Sequence, residues 1–352
     1  MPPVDKRFIL YRVIVFHRRR CVVDPRRVPS IASTFVHAYR DFSARAELLS
    51  ARVELLSARA ELLSARTERS AVCTLTLAWR TFADAPVVLA ATRDEALDRP
   101  SEPPTVRDRD PAVVAPRDGE AGGTWIGVAE TGVTVAVTNR WLDVDTEGDR
   151  SRGLLVRDCL RARSAAAAAR AVERELDERR YEGFNLVVAD DVAAFLLSYD
   201  GRLAVTRLDP GVHVIGNVGG VVNGRERFAV PDHRSDRGAD RVDSARRIAA
   251  ALVPRPGATA GEWLARASDV LADHEYGACL HGEGFGTRSF TRIRTGADAS
   301  VGFADGPPCE TSVEALRLPD GFAAGSPDRR DHAGSPDRRD HSGPADDPES
   351  QL

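Results

Sequence analysis

The 352-residue chain carries 49 basic and 53 acidic side chains, a net charge of −4, and is long enough to bury a sizeable core. The charge is uneven: residues 1–72 hold 14 Lys or Arg against 7 Asp or Glu, while the remaining 280 hold 35 against 46, a net of −11. An acidic body argues against nucleic acid as a partner, and the Arg- and Ala-rich composition, with Lys6 the sole lysine, points to a GC-rich, salt-loving prokaryotic source.

Taken in chain order, the first apolar run, Phe8 to Phe16, is nine residues long and broken by Arg12. It is too short to span a bilayer, and no small-residue cleavage site follows it. A cytoplasmic protein with no transmembrane segment is expected. Residues 43–63 then repeat one heptad three times, as Ser43-Ala-Arg-Ala-Glu-Leu-Leu, Ser50-Ala-Arg-Val-Glu-Leu-Leu and Ser57-Ala-Arg-Ala-Glu-Leu-Leu. This pattern fits either an amphipathic helix with a leucine seam or a repeat expanded ahead of the true gene start. Three heptads are marginal for a coiled coil, which favours the second.

Patterning strengthens from Cys73. Cys73 to Trp79 alternates like a strand, and Pro86 to Ala91 reads as a second, buried one. Thr124 to Val128 and Val133 to Thr138 predict a hairpin around Glu130-Thr131-Gly132. Residues 151–180 read as one helix with Ser151 as its N-cap. Asn185–Ala189, Ala193–Ser198 and Leu203–Leu208 predict a strand meander. Helices are expected over 240–253 and 261–274, and strands over 288–294, 300–304 and 314–318. This order describes an α+β layered domain over 73–320. In the tail, 321–352, Gly325-Ser-Pro-Asp-Arg-Arg-Asp-His recurs from Gly334, a composition too polar to order itself.

Five cysteines (Cys21, Cys73, Cys159, Cys279, Cys309) make an odd set without Cys-x-x-Cys spacing. His213, His233, His274 and His281 show no ligand spacing either. Neither a disulfide framework nor a zinc site is expected, and no resident cofactor. Gly122-Gly123 has no following helix or nearby Lys, so it reads as a close backbone approach rather than a phosphate cradle.

Cys73 is the chemically interesting thiol. In a chain that began there, its α-amino group, with a pKa near 7.7–8.0, would lie beside the thiol and could take its proton. A GTG start codon at Val72, or cleavage between Val72 and Cys73, would produce that terminus, leaving residues 1–72 untranslated or removed. Otherwise Cys73 is a buried structural thiol.

Seven segments then fall in a familiar order: Cys73-Thr-Leu, Thr92-Arg93-Asp94-Glu95, Asp98-Arg99-Pro100-Ser101, Ala121-Gly-Gly-Thr-Trp-Ile-Gly127, Thr138-Asn139-Arg140, Ser151-Arg152-Gly153 and Gly286-Thr287-Arg288-Ser289. Together they resemble the NRDE family, the transport and Golgi organization protein 2-like proteins, over residues 73–310. Thr92 stands where that family's motif has Asn; the Arg-Asp-Glu remainder is intact. The family resembles cysteine-type N-terminal-nucleophile hydrolases such as penicillin V acylase and bile salt hydrolase. That likeness implies a four-layer αββα sandwich and hydrolysis of an amide or thioester of a small or lipid-like acyl compound. By position it implies Cys73 as nucleophile and base, Arg93 and Asp94 beside it after the second strand, and Asn139 as oxyanion donor. Arg93 would lower the thiol pKa. Arg140, Asn185 and Arg288 are candidate substrate-binding residues. The resemblance also implies an alternative of another class, a non-enzymatic carrier of a small ligand or haem, although no Cys-Pro or His-x-x-His haem signature is present. On residues alone, Arg93-Asp94-Glu95 also fits a solvated charge run after a strand, and Asn139-Arg140 a turn cap.

Overall fold

The alternation at Cys73–Trp79 builds the centre of the molecule. In this computed structural model, residues 73–107, 110–144 and 146–323 are described. The heptad repeat at 43–63 and the repeated tail lie outside them. Strand β1 (Cys73–Phe82) pairs antiparallel with β2 (Ala85–Ala96) on one side and β10 (Gly211–Gly216) on the other. With β11 (Gly219–Val222), β12 (Arg225–Phe228), β13 (Phe285–Arg294), β14 (Ser300–Ala304) and β15 (Glu314–Ala315), they form one antiparallel sheet, ordered β12-β11-β10-β1-β2-β13-β14-β15. A second antiparallel sheet runs in sequence order: β3 (Ser101–Arg107), β4 (Val113–Asp118), β5 (Ile126–Ala129), β6 (Thr134–Asn139), β7 (Phe184–Ala189), β8 (Ala194–Tyr199) and β9 (Leu203–Arg207).

The period-two pleat explains why the sheets stack. Leu75, Leu77 and Trp79 of β1 and Val87 and Leu89 of β2 pack against Val114, Ile126, Val128, Ala136 and Val187 of the other sheet. The alternate residues Ala78, Val88 and Ala90 face α3 (Ser235–Ala251) and α4 (Ala260–Ala272), meeting Ile248, Trp263 and Leu271. On the far side, Val133, Val135, Leu186 and Val188 bury α1 (Arg152–Cys159) and α2 (Ala165–Glu178) through Leu155, Val156, Ala168 and Val172. The layers are therefore α, β, β, α, as expected. Leu77 is fully buried in the middle, and truncating it to Ala would cost about 2–5 kcal/mol.

Several local expectations change. The helix predicted over 151–180 is two helices: Ser164 caps a new one, accepting from the Ala167 amide at 3.2 Å, while Asp190 Oδ2 takes the Ala165 amide at 2.7 Å. The Ser151 cap is present, accepting from the Gly153 amide. Strand β2 does not stop at Ala91 but runs on through Arg93-Asp94-Glu95. Strands β3, β4 and β10 to β12 were not anticipated, and β15 is shorter than the run 314–318. Gly123 makes the expected close approach: a Cβ there would lie 2.2 Å from the Gly153 carbonyl carbon, and the Thr124 amide bonds the Gly153 oxygen at 3.0 Å.

Candidate active site

Antiparallel register sets Cys73 directly across from Arg93, on the same face of the sheet. The cleft there, about 130 Å³, is walled by Cys73, Arg93, Asp94 and Glu95 of one sheet. Val137 and Asn139 of the other sheet, Trp125 just before β5, and the first turn of α1 with Arg152 complete it. A larger depression, about 440 Å³, lies over α3 beside Val230 and Pro231; of its charged groups, Arg246 and Asp243 pair with each other and Asp232 stands apart from that pair.

Arg93 is held in place from several sides. Its guanidinium lies 4.3 Å from the Trp125 ring centroid, 3.5 Å from Glu95 and 3.6 Å from Asp118. Its Nη1 is buried without a hydrogen bond to any described residue, and burial draws its pKa down. Asp118 is locked in turn: Arg99 donates to both its oxygens, at 2.8 and 3.2 Å, and the amides of Glu120 and Ala121 complete its shell. Against the cost of burial, Arg99 holds the Asp118 carboxyl below its ordinary range.

Asp94 lies on the next pleat. It is wholly buried, its Oδ1 accepts from the Thr287 hydroxyl at 2.5 Å, and its Oδ2 has no hydrogen-bond partner among the described residues. Burial pushes its pKa up to about 8 although Arg241 and Arg93 pull it down. Burial, then the Asp94 charge, push the Cys73 thiol up to about 12, outweighing the Asp94 backbone amide and Arg93. The expectation that Arg93 lowers the thiol pKa is thus correct in sign, but burial and Asp94 win.

Asn217 ties the cleft together. Its Oδ1 accepts from the Cys73 backbone N–H at 3.2 Å, and its Nδ2 donates to the Asn139 carbonyl at 2.9 Å. One fully buried side chain in the turn between β10 and β11 therefore fixes Cys73 against Asn139 on the opposite sheet. The Asn139 side-chain amide itself bonds no described residue.

The structure brings Cys73, Arg93, Asp94 and Asn139 into one cleft, and it removes two other readings. Arg93 and Asp94 are buried within a strand, so they are not a solvated run; Asn139 ends a strand and lines the cleft rather than capping a turn. Arg140, Asn185 and Arg288, expected to bind substrate, do not line it. Asn185 is saturated by Gly216, Ser198 and Arg140, which ties β7 to β10 and β8. Arg140 also pairs with Asp200, and Arg288 turns away to Asp305. Trp125, Arg99 and Arg152 sat unassigned inside the matched segments, whereas Asn217 and Asp118 carried no signal beyond turn and strand-end character. His213 is buried with its ring bonded to the Asp209 carbonyl and the Asn223 amide. Ligand atoms of His274, Cys279, His281 and Cys309, which show no ligand spacing in the sequence, lie within 4.8 Å of one another. Folding joins them across spacings that follow no linear pattern.

A sequence profile described as Transport and Golgi organisation 2 matches residues 72–303. The Transport and Golgi organization 2 homolog of Mus musculus is 35% identical over 109 residues, 30% of this chain, which spans 38% of that protein. Among solved structures, the Caenorhabditis elegans N-acylethanolamine-hydrolyzing acid amidase ortholog aligns over 72% of this chain and 98% of its own, at 13% identity and a TM-score of 0.43. A mutant conjugated bile acid hydrolase from Clostridium perfringens aligns over 70% of this chain and 92% of its own, at 9% identity and a TM-score of 0.37.

Proposed function

The chain belongs to the Transport and Golgi organisation 2 family, and we propose that it is a cysteine-dependent hydrolase that cleaves an amide or thioester of a small or lipid-like acyl compound, with Cys73 as an N-terminal nucleophile. The observation that carries this reading is the Asn217 bridge. An acceptor oxygen already waits 3.2 Å from the Cys73 nitrogen, where a freed α-amine would be held beside its own thiol. With residues 1–72 attached, that nitrogen is an amide with no lone pair to give, and a thiol at about 12 is almost wholly protonated at neutral pH.

With the amine free, the steps follow from the geometry. The amine takes the thiol proton, and the thiolate attacks the substrate carbonyl carbon. The Asn139 amide donates to the resulting oxyanion, and Arg93, with its unused Nη1, stabilises the sulfur anion. The ammonium proton passes to the leaving nitrogen or sulfur as its bond to the carbonyl carbon breaks, giving a Cys73 thioester. Water, deprotonated by the amine, then displaces the thiol and releases the acid. The buried Asp94 carboxyl, raised to about 8, ionises beside the cleft only as far as the new ammonium offsets that burial cost. A cleft of about 130 Å³, below the range of roughly 300–1,000 Å³ usual for drug-sized ligands, suits a carbonyl and its immediate substituents better than a haem.

The test compares chains beginning at Cys73 with chains retaining residues 1–72 on amide and thioester substrates of graded acyl length. Turnover confined to the Cys73-initiated protein is expected. Equal turnover with the extension attached would remove the amine from the mechanism. A haem titration with unit stoichiometry that disappears in Cys73→Ala, without hydrolysis by either chain, would favour the carrier instead.

A further inference from the structure

Beyond the cleft, two cysteines and two histidines from three segments converge. His274 opens a short 3-10 turn after α4, Cys279 and His281 lie on the loop leading to β13, and Cys309 lies in the turn after β14. The Cys279 and Cys309 sulfurs are 3.4 Å apart. His281 Nε2 lies 3.7 Å from the first and 3.1 Å from the second. The His274 and His281 rings meet edge to face with centroids 5.0 Å apart. A tetrahedral zinc ion with Zn–S of about 2.3 Å and Zn–N of about 2.0–2.1 Å sets S···S edges near roughly 3.8 Å and S···N edges near roughly 3.6 Å. The three observed separations depart from those edges by no more than about 0.5 Å.

We propose that His274, Cys279, His281 and Cys309 bind one Zn²⁺ tetrahedrally, tying the turn after β14 to the loop that leads from α4 into β13. A disulfide alone would account for the two sulfurs but leave both imidazoles unexplained. Two thiolates and two imidazoles are the set that zinc takes in closed structural sites, and four protein ligands leave no open position for a substrate. As the Zn–S bonds form, both thiol protons leave to solvent and nothing is oxidised.

The surroundings fit the same ion. His281 turns Nε2 to the sulfurs and Nδ1 to Glu310, whose Oε1 is 3.9 Å away; such a carboxylate favours a proton on Nδ1 and a lone pair on Nε2. Cys279 is buried while the other three ligands are exposed, so one ligand is anchored in the protein and the ion can approach from solvent. The backbone is fixed on both sides. The Leu280 amide bonds the Thr287 hydroxyl, the Thr287 amide bonds the Leu280 carbonyl, and the Thr311 amide closes the Cys309 turn on the Pro307 carbonyl, each at 2.9 Å. Ligands mounted this way lose little conformational freedom on binding.

The experiment uses the untagged full chain purified from zinc-supplemented medium, with metal counted by plasma mass spectrometry and fold checked by circular dichroism. One zinc per chain after dialysis is expected, with the intense visible bands of tetrahedral thiolate-ligated cobalt after Co²⁺ exchange. Cys309→Ser, at an exposed turn, should lose the ion while keeping its dichroism. Glu310→Gln, which leaves all four ligands in place, should weaken zinc about 10–100-fold in a competition with a chromophoric chelator. A folded protein without stoichiometric zinc, or one lighter by two hydrogen atoms through a Cys279–Cys309 disulfide, would overturn the assignment. So would equal zinc affinity in wild type and Cys309→Ser.

Discussion

Cys73 and Cys279 are both thiols sunk into the same sheet-and-helix framework, yet their neighbours assign them opposite chemistry. Around Cys73 stand a cation, an amide donor and a carbonyl acceptor, with no second soft ligand among the described residues that line the cleft. Around Cys279 stand another thiol and two imidazoles. The first set can stabilise a sulfur anion that must attack and leave again. The second can hold sulfur permanently on a metal. Burial does not distinguish them, since it is the largest cause that raises each thiol, joined by Asp94 at Cys73 and by Cys309 at Cys279. What differs is the company each one keeps.

The sharpest way to break this contrast is Cys73→Ala. Hydrolysis should fall to background while the chain still carries one zinc, read by turnover and metal content on the same preparation. Loss of zinc, or surviving turnover, would show that the two regions do not divide the labour as described. Next in size is Asn139→Ala, which removes the proposed oxyanion donor. It should lower kcat about 10²–10³-fold with little change in KM.

A smaller effect probes the link between the two regions. Thr287 donates to Asp94 beside Cys73 and accepts from the Leu280 amide beside Cys279. Burial raises the Asp94 pKa from 3.8 to about 8, so between those values the folded chain keeps a proton that the unfolded chain has released. Unfolding therefore becomes easier as pH rises across that window, and the Asp94 contribution levels off above about 8. Melting temperatures from pH 5 to pH 9 should show this decline, and Asp94→Asn should flatten it. An equally steep decline in the variant would place its origin in another group.

The parts of this arrangement legible in the sequence are those encoded locally. Alternation in Cys73–Trp79 gave β1, and the Glu130-Thr131-Gly132 turn gave the β5–β6 hairpin with Asn139 at its end. The matched segments pointed to Arg93 and Asp94. What escaped depends on distant partners. The break between α1 and α2 is enforced partly by Asp190, 25 residues beyond Ala165, in a stretch whose own composition favours helix. Strand β11 begins Gly219-Gly220, which reads as a turn; a Cβ on Gly220 would fall 1.9 Å from the Val214 carbonyl oxygen, so the pair serves tight strand packing instead. Asn217 sits in the turn between β10 and β11, and its bridge from Cys73 to Asn139 needs strands that meet only after folding. The zinc ligands are joined across 30 residues between Cys279 and Cys309, a distance no spacing rule covers.

Hydrolysis at the cleft turns on one bond, the thioester to Cys73. A chain beginning at Cys73 would be mixed with an activated acyl thioester at neutral pH, quenched with acid and weighed intact. A single acyl adduct is expected, mapped by peptide mass to Cys73, absent from Cys73→Ala and from protein that retains residues 1–72. An adduct that forms equally on Cys73→Ala, or as fast with the extension attached, would contradict it.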